Sequence, residues 1–233
     1  MASQDQNLLN SKTDYAVSLA KSVLGVIPTV GTALSELVSI AIPNQRLERV
    51  TKYLIDLEKR MSLMEVDLKA KVVDVDFSDL VEESLWQAAR AVSQDRLDYI
   101  ATLVVNGVSA SNIEYIESKH LLKILSELND IEIIWLRFYL NPVMSGDKEF
   151  RQKHEELLYP KVAFFESSQE EIDKSTLQVS YKNHLATLGL LEKKVEIDLG
   201  DARGRAKTKT TGYEITSLGG LILRQIGLGE IGN

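Results

Sequence analysis

Residues 175–198 read STLQVSYKNHLATLGLLEKKVEID, and the change of period inside them decides the fold of the C-terminal part. Up to Leu188 the apolar side chains Leu177, Tyr181, Leu185 and Leu188 recur every three or four residues, the period of a helix. Gly189 ends it, because glycine accepts the left-handed conformation of a C-terminal stop. From Leu190 onward apolar and charged residues alternate, which predicts a strand. A polar stretch, 199–207, leads to TKTTGYEIT at 208–216, a second strand. Ser217 then caps a final helix, LGGLILRQIGL. Helix, strand, long turn, strand and helix is the layout of a winged helix.

The turn carries Arg203, Arg205, Lys207 and Lys209, separated by Gly204, Ala206 and Thr208. Period two places all four cations on one face of an extended arm. Small neighbours admit a phosphate backbone or an anionic surface, and a solvated hairpin tip carries the same charges with no ligand. If the helix packs Leu177, Tyr181, Leu185 and Leu188 inward, Gln178, Lys182 and Asn183 form its outer face. Gln178 and Asn183 are the residue types that read adenine edges. One lysine anchors phosphates thinly, however, and winged helices also serve as protein-contact modules. GDARGRAKT at 200–208 lacks the glycine before lysine of a nucleotide-binding loop.

Upstream, Lys21–Asn44 is the most apolar run, KSVLGVIPTVGTALSELVSIAIPN. Pro28 divides it into two helical halves, with Gly25, Pro28 and Gly31 as the hinge. Each half is shorter than the roughly 20 residues of a spanning helix. The run is either a core hairpin or a shallow, switchable membrane element. Asn44 reads as the cap of a long helix, 45–69. Its apolar positions, Leu47, Val50, Leu54, Leu57, Met61, Met64 and Leu68, are spaced alternately three and four apart. Such a heptad seam either packs on its own domain or pairs with a second copy. Ile55 and Leu63 would widen the apolar face. Asp76 or Ser78, Ser93 and Ser111 cap three further helices, the second closed at Asn106-Gly107. Residues 131–140 form a buried helix, ended by Asn141-Pro142, and 147–158 form a polar one. The expected organisation is an apolar hairpin at 1–44, a helical body at 45–145 and a winged-helix domain at 146–233, mainly α overall.

The net charge of −7 is uneven. Residues 1–173 carry 18 basic and 28 acidic side chains, a balance of −10, and residues 174–233 carry 9 and 6, a balance of +3. An acidic body argues against wholesale nucleic-acid binding and leaves the C-terminal part as the place for an anion. There are no cysteines, which excludes disulfides and thiolate chemistry. The opening MASQDQNLLNSK predicts no secretory signal. His120, His154 and His184 are far apart, and His120 falls on an apolar face between Ile116 and Ile124. Glu170, Glu171 and Asp173 read as a polar linker. With no nucleophile–base pair, metal set or nucleotide loop, the expectation is a protein without catalytic residues, cofactor, metal or small-molecule substrate.

Three stretches carry a family resemblance. They are IPNQRLERVTKYLIDLEKR at 42–60; ESLWQAARAVSQDRLDYIATLVVNGVS at 83–109 with ESKHLLKILSELNDIEIIWLRFY at 117–139; and HLATLGLLE at 184–192 with YEITSLGGLIL at 213–223. Together they resemble the abortive-infection alpha type of bacterial proteins, linked by name to phage defence. The polar wing at 198–210 is longer than that family's ending. The resemblance implies a non-enzymatic defence protein, cytoplasmic or peripheral at the inner membrane. It would act through protein partners or self-association, and through membrane contact at 21–44. A DNA-binding regulator that uses the wing and dimerises through the seam is the alternative.

Overall fold

The computed structural model describes residues 44–64, 75–109, 115–142, 147–162, 164, 166–198 and 207–229. Among them the chain is mainly helical, with a small two-stranded antiparallel sheet near the C-terminus. The expected hairpin, with Gly25, Pro28 and Gly31, and the cations Arg203 and Arg205 lie outside the described residues. No described helix is long and apolar enough to cross a membrane. The chain divides into two compact units between Ser126 and Glu127, earlier than the expected boundary at 145/146.

In the first unit, helices α1 (Asn44–Ser62), α2 (Val75–Arg90) and α3 (Gln94–Ser109) pack on one another pairwise, and α4 (Tyr115–Glu127) follows. Val50, Leu54, Leu57 and Met61 are all buried, with Tyr53 beside them. The seam therefore faces the unit's own core, and these four residues are not a surface for a second copy. The side chains of Leu47 and Leu68 lie outside those described, and Met64 is half-buried. Ile55 and Leu63 are exposed and do not widen the buried face. The helix also stops short of Lys69, at Ser62, whose hydroxyl donates to the Lys59 carbonyl.

Buried polar groups tie the helices together. The Tyr53 hydroxyl donates to Ser84 Oγ at 2.7 Å, and Ser84 donates to the Val81 carbonyl. Gln87 and Arg96 donate to the Leu122 and Leu125 carbonyls of α4. Ser93 caps α3 as expected, accepting from the Arg96 amide. Three expectations change. Because α2 has begun by Val75, Asp76 and Ser78 are inside it, and Ser78 is buried. Next, α3 runs past Asn106-Gly107 to Ser109. Gly107 serves close packing instead, since a Cβ there would sit 2.5 Å from Ser118 Oγ. Finally, His120 and Ile116 are exposed, because the inner face of α4 is Ser118, Leu121, Leu122, Ile124 and Leu125.

The second unit begins with α5 (Asp130–Leu140), α6 (Lys148–Lys153), α7 (Glu155–Leu158) and α8 (Gln169–Thr187). Strands β1 (Leu191–Asp198) and β2 (Lys207–Ile215) and helix α9 (Ser217–Gln225) complete it. Helix α5 belongs here because it packs on α8, β2 and α9, burying Ile133, Trp135 and Leu136. The polar helix expected at 147–158 is broken at His154 into α6 and α7. Helix α8 starts six residues before Ser175, from a capping box in which Ser168 and Glu171 each accept from the other's backbone amide. Glu170 and Glu171 are thus first-turn helix residues, where carboxylates offset the helix dipole, and Asp173 lies in the next turn. At the other end Gly189 has φ +72°, and the amides of Gly189 and Leu190 donate to the Ala186 and Leu185 carbonyls. This stop is the expected one. The cap of α9 is Thr216, one residue before the expected Ser217.

Burial raises the pKa of three phenols, Tyr53, Tyr139 and Tyr213. Tyr53 shifts well upward, and Tyr139 is pushed up to about 12, with Tyr213 adding to the effect. An unfolded tyrosine ionises near pH 10, so folding favours the protonated phenol. That contribution is intact below about pH 10 and is lost as pH rises through about 12. Stability to urea should therefore fall across this window, and Tyr139→Phe should make the fall shallower. An unchanged slope would contradict the assignment.

Candidate functional site

Helix α8 does not present the face expected of it. Leu177, predicted to be inside, is 52% exposed, and Gln178, predicted to be outside, is 7% exposed. The Gln178 carboxamide faces the backbone of residues 157–161. Its Nε2 donates to the Leu157 and Tyr159 carbonyls, and its Oε1 accepts from the Lys161 amide at 3.1 Å. One side chain thus holds an extended segment against α8. The cause is local. The segment leaving α7 passes Pro160, so it is not helical, and its amides and carbonyls need partners that a glutamine supplies in both senses.

The other two outer-face residues are also engaged. The Lys182 ammonium lies over the Trp135 ring, 4.1 Å from its centroid, and this half-buried setting lowers its pKa through desolvation. Asn183 Oδ1 accepts from the Tyr213 hydroxyl at 3.0 Å. At the next residue, His184 Nδ1 and Glu132 Oε1 are 2.7 Å apart, and Glu132 is buried and also accepts from the Asn129 amide. Gln178, Lys182, Asn183 and His184 all tie α8 to its own unit.

The clamp creates a groove of about 470 Å³. Its walls are Ile131 and Trp135 of α5; Lys153 and His154 at the α6–α7 break; Glu156 and Leu157 of α7; Lys161; and Lys174, Leu177, Gln178 and Tyr181 of α8. The sequence reading missed this site. Its signals were Ser168 and Glu171 at capping-box spacing, which lengthens α8, and a break at His154 that nothing local announces. Close to it in sequence, residues 159–179 expose Tyr159, Val162, Phe164, Ile172, Leu177 and Val179, of which Leu177 lines the groove. These are half of the twelve large apolar side chains exposed among the described residues. Lys161 lies over Tyr159, and Lys174 pairs with Glu170 at 2.6 Å.

The β1–β2 pair shows a different charge pattern from a bare cationic arm. In the sheet register Lys209 stands opposite Glu196 and Lys207 opposite Asp198. Lys194 pairs with Glu214 at 2.9 Å. Alternate positions of β2 are thus registered against acidic positions of β1. A register irregularity between Lys194 and Val195 brings this about.

Gln178→Ala should remove the clamp while leaving the first unit intact. With three hydrogen bonds lost and the freed segment able to rehydrate, the expected cost to the second unit is about 2 kcal/mol. Amide exchange of Lys161 should accelerate in the variant. Unchanged exchange there would show that the segment is held by something else.

Comparison with family models, curated proteins and solved structures yields no match. The site therefore rests on its own geometry. Among the described residues no group of three or more His, Asp and Glu side chains is placed to hold a metal ion.

Proposed function

We propose that this protein is a non-enzymatic bacterial defence protein of abortive-infection type, working through protein contacts made by its second unit. In this reading α8, the β1–β2 hairpin and α9 form a winged helix used for protein contact. The apolar run 21–44 is its membrane-active hairpin. The observation that carries the reading is the groove along α8, lined by Leu157, Leu177 and Tyr181, next to a stretch, 159–179, rich in exposed apolar side chains. The engagement of Gln178, Lys182 and Asn183 supports protein contact over base reading.

The test is phage plating on cells that carry the chain. Leu177→Glu with Phe164→Ser alters exposed side chains only, so folding should be preserved by circular dichroism while protection is lost. Full protection by that double variant would overturn the reading. A separate test addresses the hairpin. Leu24→Glu should release the chain from alkali-washed membranes, and unchanged membrane association would remove the hairpin from the mechanism.

The second reading, a DNA-binding regulator, draws support from the +3 balance of residues 174–233. It requires affinity that falls by orders of magnitude over a few-fold rise in salt. It also requires that affinity to vanish when Arg203, Arg205, Lys207 and Lys209 are neutralised.

A further inference from the structure

We propose that the groove along α8 takes an acidic peptide segment of a partner protein, with apolar side chains seated between carboxylates. This inference rests on the protein-contact reading above and names the chemistry of the partner. The chain as a whole is acidic, at −7, yet the groove gathers Lys153, Lys161 and Lys174 against Glu156 alone. Lys174 is already neutralised by Glu170. Among the described residues no carboxylate pairs with Lys153 or Lys161, so these two ammoniums are the ones a ligand can satisfy.

Between the cations the surface is apolar. Leu157 and Tyr181 are half-buried and Leu177 is about half exposed, so covering them removes apolar area from water. A space of about 470 Å³ suits a few side chains of a docked segment. Charge complementarity then selects the occupant. Carboxylates meet Lys153 and Lys161 at the rim while apolar side chains fill the centre, the usual division of an interface. A nucleic acid strand fits less well. It would offer phosphates to the two lysines but leave Leu157 and Leu177 uncovered.

The test is a selection of short random peptides on the immobilised full chain, followed by fluorescence anisotropy with the selected peptides. The expected result is sequences rich in Asp and Glu flanking Leu, Ile, Phe or Trp. Lys153→Glu with Lys161→Glu should weaken their binding by about tenfold or more, two charge contacts being reversed. Leu177→Ser should weaken it separately. Circular dichroism checks that the variants fold, which is expected because none of the three side chains is buried. Peptides that bind through Leu177 but carry no acidic bias would overturn the acidic class and leave the protein-contact reading standing. No selected peptide sensitive to Leu177→Ser would overturn both. Duplex DNA bound at low salt and lost with the lysine reversal would reassign the groove to nucleic acid.

Discussion

Leu57→Ala should destabilise the first unit by about 3 kcal/mol, the scale of a leucine deletion in a packed core. Leu57 has no exposed surface and belongs to α1, which packs on both α2 and α3. Truncation removes its transfer free energy and leaves a cavity that the pairwise helix contacts resist closing. The two tryptophans, Trp86 and Trp135, fall one in each unit. Urea unfolding followed by Trp86, in a Trp135→Phe background, isolates the first unit. Sedimentation of the variant should match the parent, because the seam is occupied within the chain. A loss below about 1 kcal/mol together with a shift from dimer to monomer would restore the seam to an interface.

Adjacent glycines should respond to the same substitution with opposite signs. Gly219→Ala should cost the second unit about 3 kcal/mol, at the upper end for overpacking a close contact. Thr216 explains why. Its amide donates to the Leu190 carbonyl at 3.1 Å, its hydroxyl donates to the Gly189 carbonyl at 2.7 Å, and that hydroxyl accepts from the Gly219 amide at 3.0 Å. The end of α8 is thereby pinned against the start of α9. A Cβ on Gly219 would run into the Leu190 carbonyl oxygen and lie 2.9 Å from Ile215 Cγ1, with backbone unable to yield. At Gly220 the nearest atom is the Arg224 guanidinium at 3.4 Å, a flexible side-chain end. Gly220→Ala should therefore gain about 0.5–1 kcal/mol through helix propensity. Unfolding followed by Trp135, in a Trp86→Phe background, reads both. Equal effects at the two positions would contradict this placement of the Leu190 carbonyl.

The β1–β2 pair illustrates why a charge motif is incomplete without its partner strand. Lys207 and Lys209 are alternate positions of β2. The acids opposite them come from β1, and the irregularity between Lys194 and Val195 sets which residues meet. A face read along one strand says nothing of the charge across the ladder. The same holds for Gly107. A glycine near a helix end is a stop when read locally, but here it admits Ser118 from another helix.

What the sequence by itself determined is the local order. The helix-to-strand switch at Gly189, the cap at Ser93, the end of α5 at Asn141 and the apolar spacing of α1 follow from side chains and neighbours within a few residues. The start of α8 was legible in the same way, from serine and glutamate three apart at 168 and 171, and was not read. Tertiary structure alone decided which face of each element is inside. The seam Val50–Met61 pairs with helices of its own chain, an outcome that spacing cannot distinguish from a second copy. Gln178 turned inward because an extended segment next to α8 left backbone amides and carbonyls to satisfy. A helical pattern of leucines could not foresee that, since burial of a polar side chain depends on partners that only folding brings near.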